Sequence, residues 1–225
     1  MKNILILLTL IISDIGEIKQ EEITSKNLIY KDATEGLKLA FDSSVLIYSM
    51  KQEGIATGSG NLITFNKQNY IITANHVIDG SLFLGVIEKD TNTIPAEIIF
   101  QDPIKDMAIL KPLEPLSSTI PAKFKESKDN LIGKPVVHCG HPSVVSFNIS
   151  RGIITSIVGD SLIIDSFSLP GSSGSIVFGE SGEIIGVVVS IGISDTFGIP
   201  DLIGNVVRVI PFDYLYLQEN IRKPK

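Results

Sequence analysis

Three serines stand within one glycine-bracketed segment, Leu169-Pro170-Gly171-Ser172-Ser173-Gly174-Ser175, which runs into the apolar stretch Ile176-Val177-Phe178. A serine hydroxyl attacks a carbonyl only when a base takes its proton and donors stabilise the oxyanion that forms. Glycines let neighbouring backbone N–H groups turn towards one point, as such donors must. Ser173 is therefore a candidate nucleophile. The same composition also describes an ordinary turn between strands, so the segment does not decide the matter alone. A base and a group to orient it lie further back in the chain. His76 follows the apolar run Tyr70-Ile71-Ile72-Thr73-Ala74, where it is placed either to face a cleft or to serve as a structural histidine. Asp106 immediately precedes Met107-Ala108-Ile109-Leu110, and a carboxylate there either punctuates a turn or holds an imidazole in one tautomer. Asp102 competes for that role, although its neighbour Pro103 favours a turn.

Other chemistries fit less well. His138 and His141 flank Cys139, which invites a metal reading. On a strand, residues at that spacing point to opposite faces, so joint ligation is disfavoured and no metal or cofactor is expected. Cys139 is the single cysteine, excludes an internal disulfide, and lies in the strand-like run Pro135-Val136-Val137-His138-Cys139 as a small buried hydrophobe. Position 175 is serine, so Ser173 does not sit in a Gly-x-Ser-x-Gly elbow.

The elements that must position these groups read as short strands. Ser43 to Met50, Gly54 to Phe65, Tyr70 to Ala74, Leu82 to Glu88, Ile94 to Gln101 and the run after Asp106 form a first set. A Pro- and Ser-rich connection, Pro112 to Asn130, follows, with Ile120 to Phe124 as a possible edge strand. Pro135 to Gly140, Ser146 to Val158, Ser161 to Phe167, Ser175 to Phe178, Ile184 to Ser190 and Ile203 to Ile210 form a second set. Closely spaced strands bounded by Gly, Pro, Asp and Ser indicate a sandwich or barrel rather than βαβ units. A short helix is compatible with Thr34 to Phe41. Pro211 to Ile221 is the clearest helix, with Pro211 suited to its first turn.

The chain has 225 residues, 44% of them hydrophobic and 20% charged, enough for a sizeable β-rich core. A net charge of -6 without a basic stripe argues against a nucleic-acid partner. Lys2 followed by the apolar run Ile4 to Ile12 matches the core of a signal peptide over residues 1–13, which predicts export. The region after it lacks a small-x-small cleavage pattern, so a cytoplasmic protein with an uncleaved N-terminus stays open. The run is too short to span a bilayer.

The segments Ile72-Thr73-Ala74-Asn75-His76-Val77, Asp106-Met107-Ala108-Ile109-Leu110 and Pro170-Gly171-Ser172-Ser173-Gly174-Ser175 resemble the three signature segments of the chymotrypsin-fold (trypsin-like) serine peptidases. They also occur in that family's chain order. Gly58-Ser59-Gly60, Gly140-His141-Pro142 and Gly152-Ile153-Ile154 add a resemblance to the disulfide-free bacterial Deg/Htr-type protease domains, here without a PDZ domain. The resemblance runs from about Ser43 to Leu217. It implies an all-β fold of two six-stranded antiparallel barrels with a cleft between them and a short C-terminal helix. The peptidase domain would cover residues 43–222: a first barrel over about 43–112, a linker over 113–130, a second barrel over 131–210 and a helix over 211–222, behind an N-terminal segment at 14–42.

It further implies a serine endopeptidase acting on polypeptides, with Ser173 as nucleophile, His76 as base and acid, and Asp106 orienting the imidazole. The N–H groups of Gly171 and Ser173 would form the oxyanion hole. Ser190-Ile191-Gly192 would pair with the substrate backbone and wall the specificity pocket, with Phe167 near its base. No acidic residue accompanies Phe167, so an apolar or small P1 side chain is expected over a basic one. Two residues depart from the family pattern: Ser175 stands where a second glycine is common, and Asn75 replaces the usual small residue before the histidine. The alternative is a catalytically silent chymotrypsin-fold module that holds a peptide or protein in its cleft.

Overall fold

The computed structural model describes residues 33–126, 131–142, 145–196 and 199–221. The expected leader and most of the N-terminal segment lie outside the described residues, as do positions 127–130 of the expected linker. Residues from Thr34 onward belong to one compact unit.

Helix α1 (Glu35–Ser43) opens this unit, capped by the Thr34 hydroxyl, which accepts the Leu37 N–H at 3.3 Å. Six strands follow: β1 (Ser44–Lys51), β2 (Gly54–Phe65), β3 (Gln68–Ala74), β4 (Phe83–Ile87), β5 (Thr93–Asp102) and β6 (Met107–Pro112). They pair antiparallel in the order β1-β4-β5-β6-β3-β2, and β2 pairs back to β1, which closes the first barrel. The β2–β3 hairpin turns on Asn66 (φ +48) and Lys67 (φ +64), the two positive φ values that a two-residue hairpin loop requires. Val45, Ile47, Leu62, Ile71, Val86 and Ile109 are fully or almost fully buried within it. Strand β7 (Ala122–Lys123) adds to β2 in parallel, a two-residue remnant of the edge strand expected there. The connection before β7 is tied down by buried Glu88. Its carboxylate accepts the N–H groups of Ser117 (3.0 Å) and Ser118 (2.8 Å) and the Thr119 hydroxyl (2.9 Å).

The second set is β8 (Pro135–Gly140), β9 (Asn148–Val158), β10 (Ser161–Ser166), β11 (Ile176–Gly179), β12 (Ile184–Thr196) and β13 (Ile199–Ile210). It closes in the order β10-β13-β12-β11-β8-β9 around Val136, Ile154, Leu162, Ile164, Val177, Val188, Val207 and Val209. The fold is thus two closed six-stranded antiparallel barrels.

Two places depart furthest from the sequence reading. The β12–β13 hairpin runs to Thr196 and from Ile199, well past Ser190 and before Ile203, because polar Ser194 and Asp201 pair across a ladder whose register needs no apolar alternation. The terminal helix α3 (Tyr214–Ile221) starts after Pro211. The Asp213 carboxylate accepts the Tyr216 N–H at 2.7 Å, and this cap, rather than a first-turn proline, sets the start. Among the described residues no helix is long and apolar enough to cross a membrane.

Candidate active site

His76 sits on a single helical turn, α2 (Asn75–Ile78), directly at the end of β3. The turn leaves its side chain 48% exposed while Asn75 and Val77 on either side are buried. Asp106 precedes β6 in the left-handed region (φ +55), a conformation that aspartate tolerates better than most residues. β3 and β6 are neighbours in the barrel, with Ala74 opposite Met107, so the two side chains meet by construction. Asp106 Oδ2 lies 2.7 Å from His76 Nδ1, and Oδ1 accepts the His76 backbone N–H at 2.8 Å. The Asp106 carbonyl also accepts the Asn75 N–H at 3.1 Å. Two bonds to His76 and one to its neighbour Asn75 therefore fix the aspartate against the histidine. With Oδ2 an acceptor, Nδ1 carries the proton and Nε2 presents a lone pair.

Asp102, the competing carboxylate, is occupied elsewhere. Its Oδ1 accepts the N–H groups of Ile104 and Lys105, and its Oδ2 accepts the Tyr216 hydroxyl at 3.1 Å from α3. Burial and the adjacent Asp102 charge push the Tyr216 phenol well above its usual range, so it stays a donor. Asn75, buried, accepts the Gln101 side-chain N–H at 3.0 Å through Oδ1, and this fixed orientation keeps its side chain on β5.

The serine segment lies between β10 and β11. Leu169-Pro170-Gly171-Ser172 is a β-turn closed by the Ser172 N–H on the Leu169 carbonyl (2.9 Å). Proline at its second position and Gly171 at φ +104 in its third are the features of a type II turn. A Cβ on Gly171 would lie 2.5 Å from the His141 carbonyl, so both the space and the φ demand glycine. Burial separates the three serines: Ser172 and Ser175 are buried, whereas Ser173 is partly exposed. Ser175 Oγ donates to the Ser172 carbonyl at 2.7 Å, and the Gly174 N–H donates to Val188 of β12 at 2.7 Å. Among the described residues neither the Gly171 nor the Ser173 N–H donates a hydrogen bond.

The turn approaches the histidine through Gly58, where an added Cβ would lie 2.6 Å from Val77 and 3.2 Å from the Ser173 carbonyl. Among the described residues no hydrogen bond joins Ser173 Oγ to His76, and in unliganded sites such bonds are often long and tighten around substrate. Phe167 is 53% exposed just beyond β10, Ser190 is exposed, and Gly192 packs its Cα face against Val206.

His138 and His141, read as poor joint ligands, occupy separate buried clusters. His138 Nε2 is 3.1 Å from Ser166 Oγ, and Nδ1 is 3.4 Å from Ser175 Oγ. His141 Nε2 is 2.8 Å from Ser44 Oγ, and its ring meets Phe147 edge-on. Burial lowers their pKa values to about 4 and about 3, in His141 with help from the nearby Lys89 charge. Although His138 and Ser166 are bonded, both are buried, which removes them from any cleft. Cys139 is free and buried, its thiol pushed up to about 12 by burial. Sequence reasoning missed the Ser59, Ser175 and His138 contacts, because hydroxyls in apolar strands carry no pattern of their own.

The trypsin-like peptidase domain profile matches residues 58–187, more than half of the chain and a span that holds His76, Asp106 and Ser173. The chain belongs to the trypsin-like peptidase family. Within it, similarity points to the Deg/HtrA branch. The chain is 30% identical over 172 residues to the chloroplastic Protease Do-like 1 of Arabidopsis thaliana, covering 68% of this chain and 39% of that protein. It is 29% identical over 157 residues to the Serine protease Do-like HtrA of Bacillus subtilis, covering 62% and 35%. Among solved structures, the HtrA-type protease AlgW with a tripeptide shares the fold at a TM-score of 0.71, with 23% identity, 83% of this chain and 62% of that one. This member of the family therefore spans well under half the length of those two curated relatives.

Proposed function

We propose that the chain is a serine endopeptidase that cleaves polypeptides by acyl transfer, with Ser173, His76 and Asp106 as its catalytic residues. The observation that carries this is the doubly engaged Asp106 carboxylate, bonded at 2.7 Å to His76 Nδ1 and at 2.8 Å to the His76 N–H. It leaves the Nε2 lone pair to act as the base. Ser173 Oγ forms a bond to the scissile carbonyl carbon as its proton passes to His76 Nε2. The oxyanion so formed accepts the N–H groups of Gly171 and Ser173, which have no acceptor among the described residues. His76 then gives its proton to the leaving amine and the C–N bond breaks. Water, deprotonated by the same nitrogen, releases the acid and restores Ser173. Exposed Ser190 and partly exposed Gly192 would line the substrate strand, and exposed Phe167 would give the specificity pocket an apolar wall suited to apolar or small P1 side chains. The proposed domain covers residues 43–222, and the apolar run Ile4 to Ile12 supports export of the protein.

A fluorophosphonate probe tests the assignment. Wild-type protein is expected to be labelled on Ser173, and a folded Ser173→Ala sample to be neither labelled nor proteolytically active. Cleavage of casein at wild-type rate by Ser173→Ala would falsify the assignment. Failure of the folded wild type to react would support the silent peptide-binding module instead.

A further inference from the structure

The Gly58-Ser59-Gly60 segment of β2 touches the nucleophile turn from the other barrel, and the acyl-transfer scheme gives it no task. Ser59 is fully buried, and each of its polar groups is engaged. Its N–H donates to the Ser173 carbonyl at 2.8 Å, and its carbonyl accepts the Thr73 hydroxyl at 2.7 Å. Its hydroxyl donates to the Gly171 carbonyl at 2.7 Å and accepts the His141 N–H at 2.8 Å. Glycines on both sides make this approach possible. A Cβ at Gly58 would lie 2.6 Å from Val77, and one at Gly60 would lie 2.8 Å from Ile71.

A peptide group is planar, so holding its carbonyl and its N–H together fixes its rotation. The Gly171–Ser172 peptide is held at both ends: the Ser172 N–H on Leu169, the Gly171 carbonyl on Ser59 Oγ. Gly171 otherwise has the freedom of a residue without Cβ. Without the Ser59 hydroxyl, the partly buried Gly171 carbonyl loses its donor, and rotation at Gly171 is its route to another one. The Gly171–Ser172 peptide lies between the two that carry the Gly171 and Ser173 N–H groups, so its rotation changes the angle between these donors and parts them from their common point.

We propose that Ser59 is a positioning residue for the oxyanion donors: its hydroxyl locks the Gly171–Ser172 peptide plane, so that barrel 1 aims the N–H groups of a turn carried by barrel 2. The proposal rests on the serine-peptidase reading of Ser173.

Two reactions at position 173 separate donor aim from general disturbance. Fluorophosphonate labelling forms an O–P bond with loss of fluoride, passes the serine proton to His76, and places the phosphoryl oxygen among the donors. Alkylation of a Ser173→Cys variant by iodoacetamide forms an S–C bond with loss of iodide and develops no oxyanion. Ser59→Ala is expected to slow labelling at least about tenfold, short of the roughly 10²–10³-fold cost of deleting an oxyanion donor outright. In the Ser173→Cys background it is expected to leave the alkylation rate within about twofold, read at position 173 by peptide mass. Ser59→Thr, which keeps the hydroxyl, retains the wild-type ratio of the two rates. Equal falls in both rates, or no fall in labelling, overturns the proposal. Should Ser59→Ala fail to fold, a lowered ratio in Ser59→Thr overturns it and a wild-type ratio sustains it. An unlabelled, folded wild type overturns the peptidase reading and this proposal together, whereas labelled wild type beside unchanged Ser59→Ala overturns the proposal alone.

Discussion

Asp106→Asn is the perturbation whose consequence the geometry dictates most fully. Asparagine has the shape of aspartate and tolerates the φ of +55 at this position, so the backbone ahead of β6 has no reason to move. Its amide must choose an orientation. One carboxylate oxygen of Asp106 accepts the His76 backbone N–H at 2.8 Å, and that donor cannot change. The amide oxygen is therefore expected to stay there, turning its NH₂ towards His76 Nδ1 at the position now 2.7 Å away. Nδ1 then has to accept, which moves the imidazole proton to Nε2 and leaves no lone pair for the Ser173 proton. In Ser-His-Asp sites a wrong tautomer lowers turnover by about 10⁴-fold, about 5.5 kcal/mol on the barrier. Here the His76 and Asp106 side chains are 48% and 30% exposed, so water can help the ring reorient. A loss of about 10³-fold is accordingly the lower bound expected of a tautomer effect in so open a site. Stability should change by no more than about 1 kcal/mol, since the pair is solvent-screened. Fluorophosphonate labelling rates, with a denaturant titration to establish folding, read both quantities. A folded Asp106→Asn protein that labels within tenfold of wild type would refute the tautomer argument.

Three further outcomes follow from the same geometry. Gly171→Ala must carry a Cβ 2.5 Å from the His141 carbonyl at φ +104, and is expected to lose about 2–4 kcal/mol by chemical denaturation, together with its labelling. An unchanged midpoint would show that the turn accommodates a side chain. His138 and His141 have folded pKa values of about 4 and about 3 against 6.5 in the unfolded chain, both lowered first by burial. Above pH 6.5 neither state gains. As pH falls below 6.5 the unfolded chain binds protons that the folded one refuses, and stability drops until the folded values are reached. Denaturation at pH 7 and pH 5 should differ by up to about 4 kcal/mol from these two groups, and equal midpoints would contradict their burial as neutral rings. Tyr216→Phe removes the 3.1 Å bond to Asp102 while keeping the ring against Phe100 and Lys105, and should cost about 1–3 kcal/mol in a thermal or denaturant melt. No change would mean that water replaces the hydroxyl at no cost.

Much of the architecture was legible from apolar runs and their punctuation. Gly54 to Phe65 and Pro135 to Gly140 were read with the boundaries that the ladders have, because turn residues stop both ends. The helix start is ambiguous in the sequence, since Pro211 and Asp213 both suit a helix N-terminus and only the Tyr216 N–H on Asp213 decides between them. The long β12–β13 hairpin was cut short for a related reason: its outer half pairs residues that alternate too weakly to announce a strand. At the site, His76 and Asp106 could be matched because each ends or begins an apolar strand, and adjacent strands bring such ends together. Asp102 could be separated from Asp106 only by its partners, Ile104, Lys105 and Tyr216.

The part of the site that stayed hidden is the polar seam between the barrels, and the reason is physical. Apolar burial is nearly without direction, so two barrels could pack face to face in many registers at similar cost. Hydrogen bonds weaken steeply with misalignment. The seam is made of these: Asn61 Oδ1 accepts the Ile176 N–H at 2.7 Å, Ser44 Oγ donates to Cys139 at 3.0 Å, and Ser59 spans Gly171 and His141. Each joins a first-barrel side chain to backbone of the second, and all but the partly buried Ser59–Gly171 bond are buried, so a shift of one barrel against the other would leave several polar groups unpaired at once. His76 and Asp106 belong to one barrel and Ser173 to the other. The distance on which the proposed proton transfer depends is thus set by serines and an asparagine that look, in the sequence, like polar interruptions of good strands.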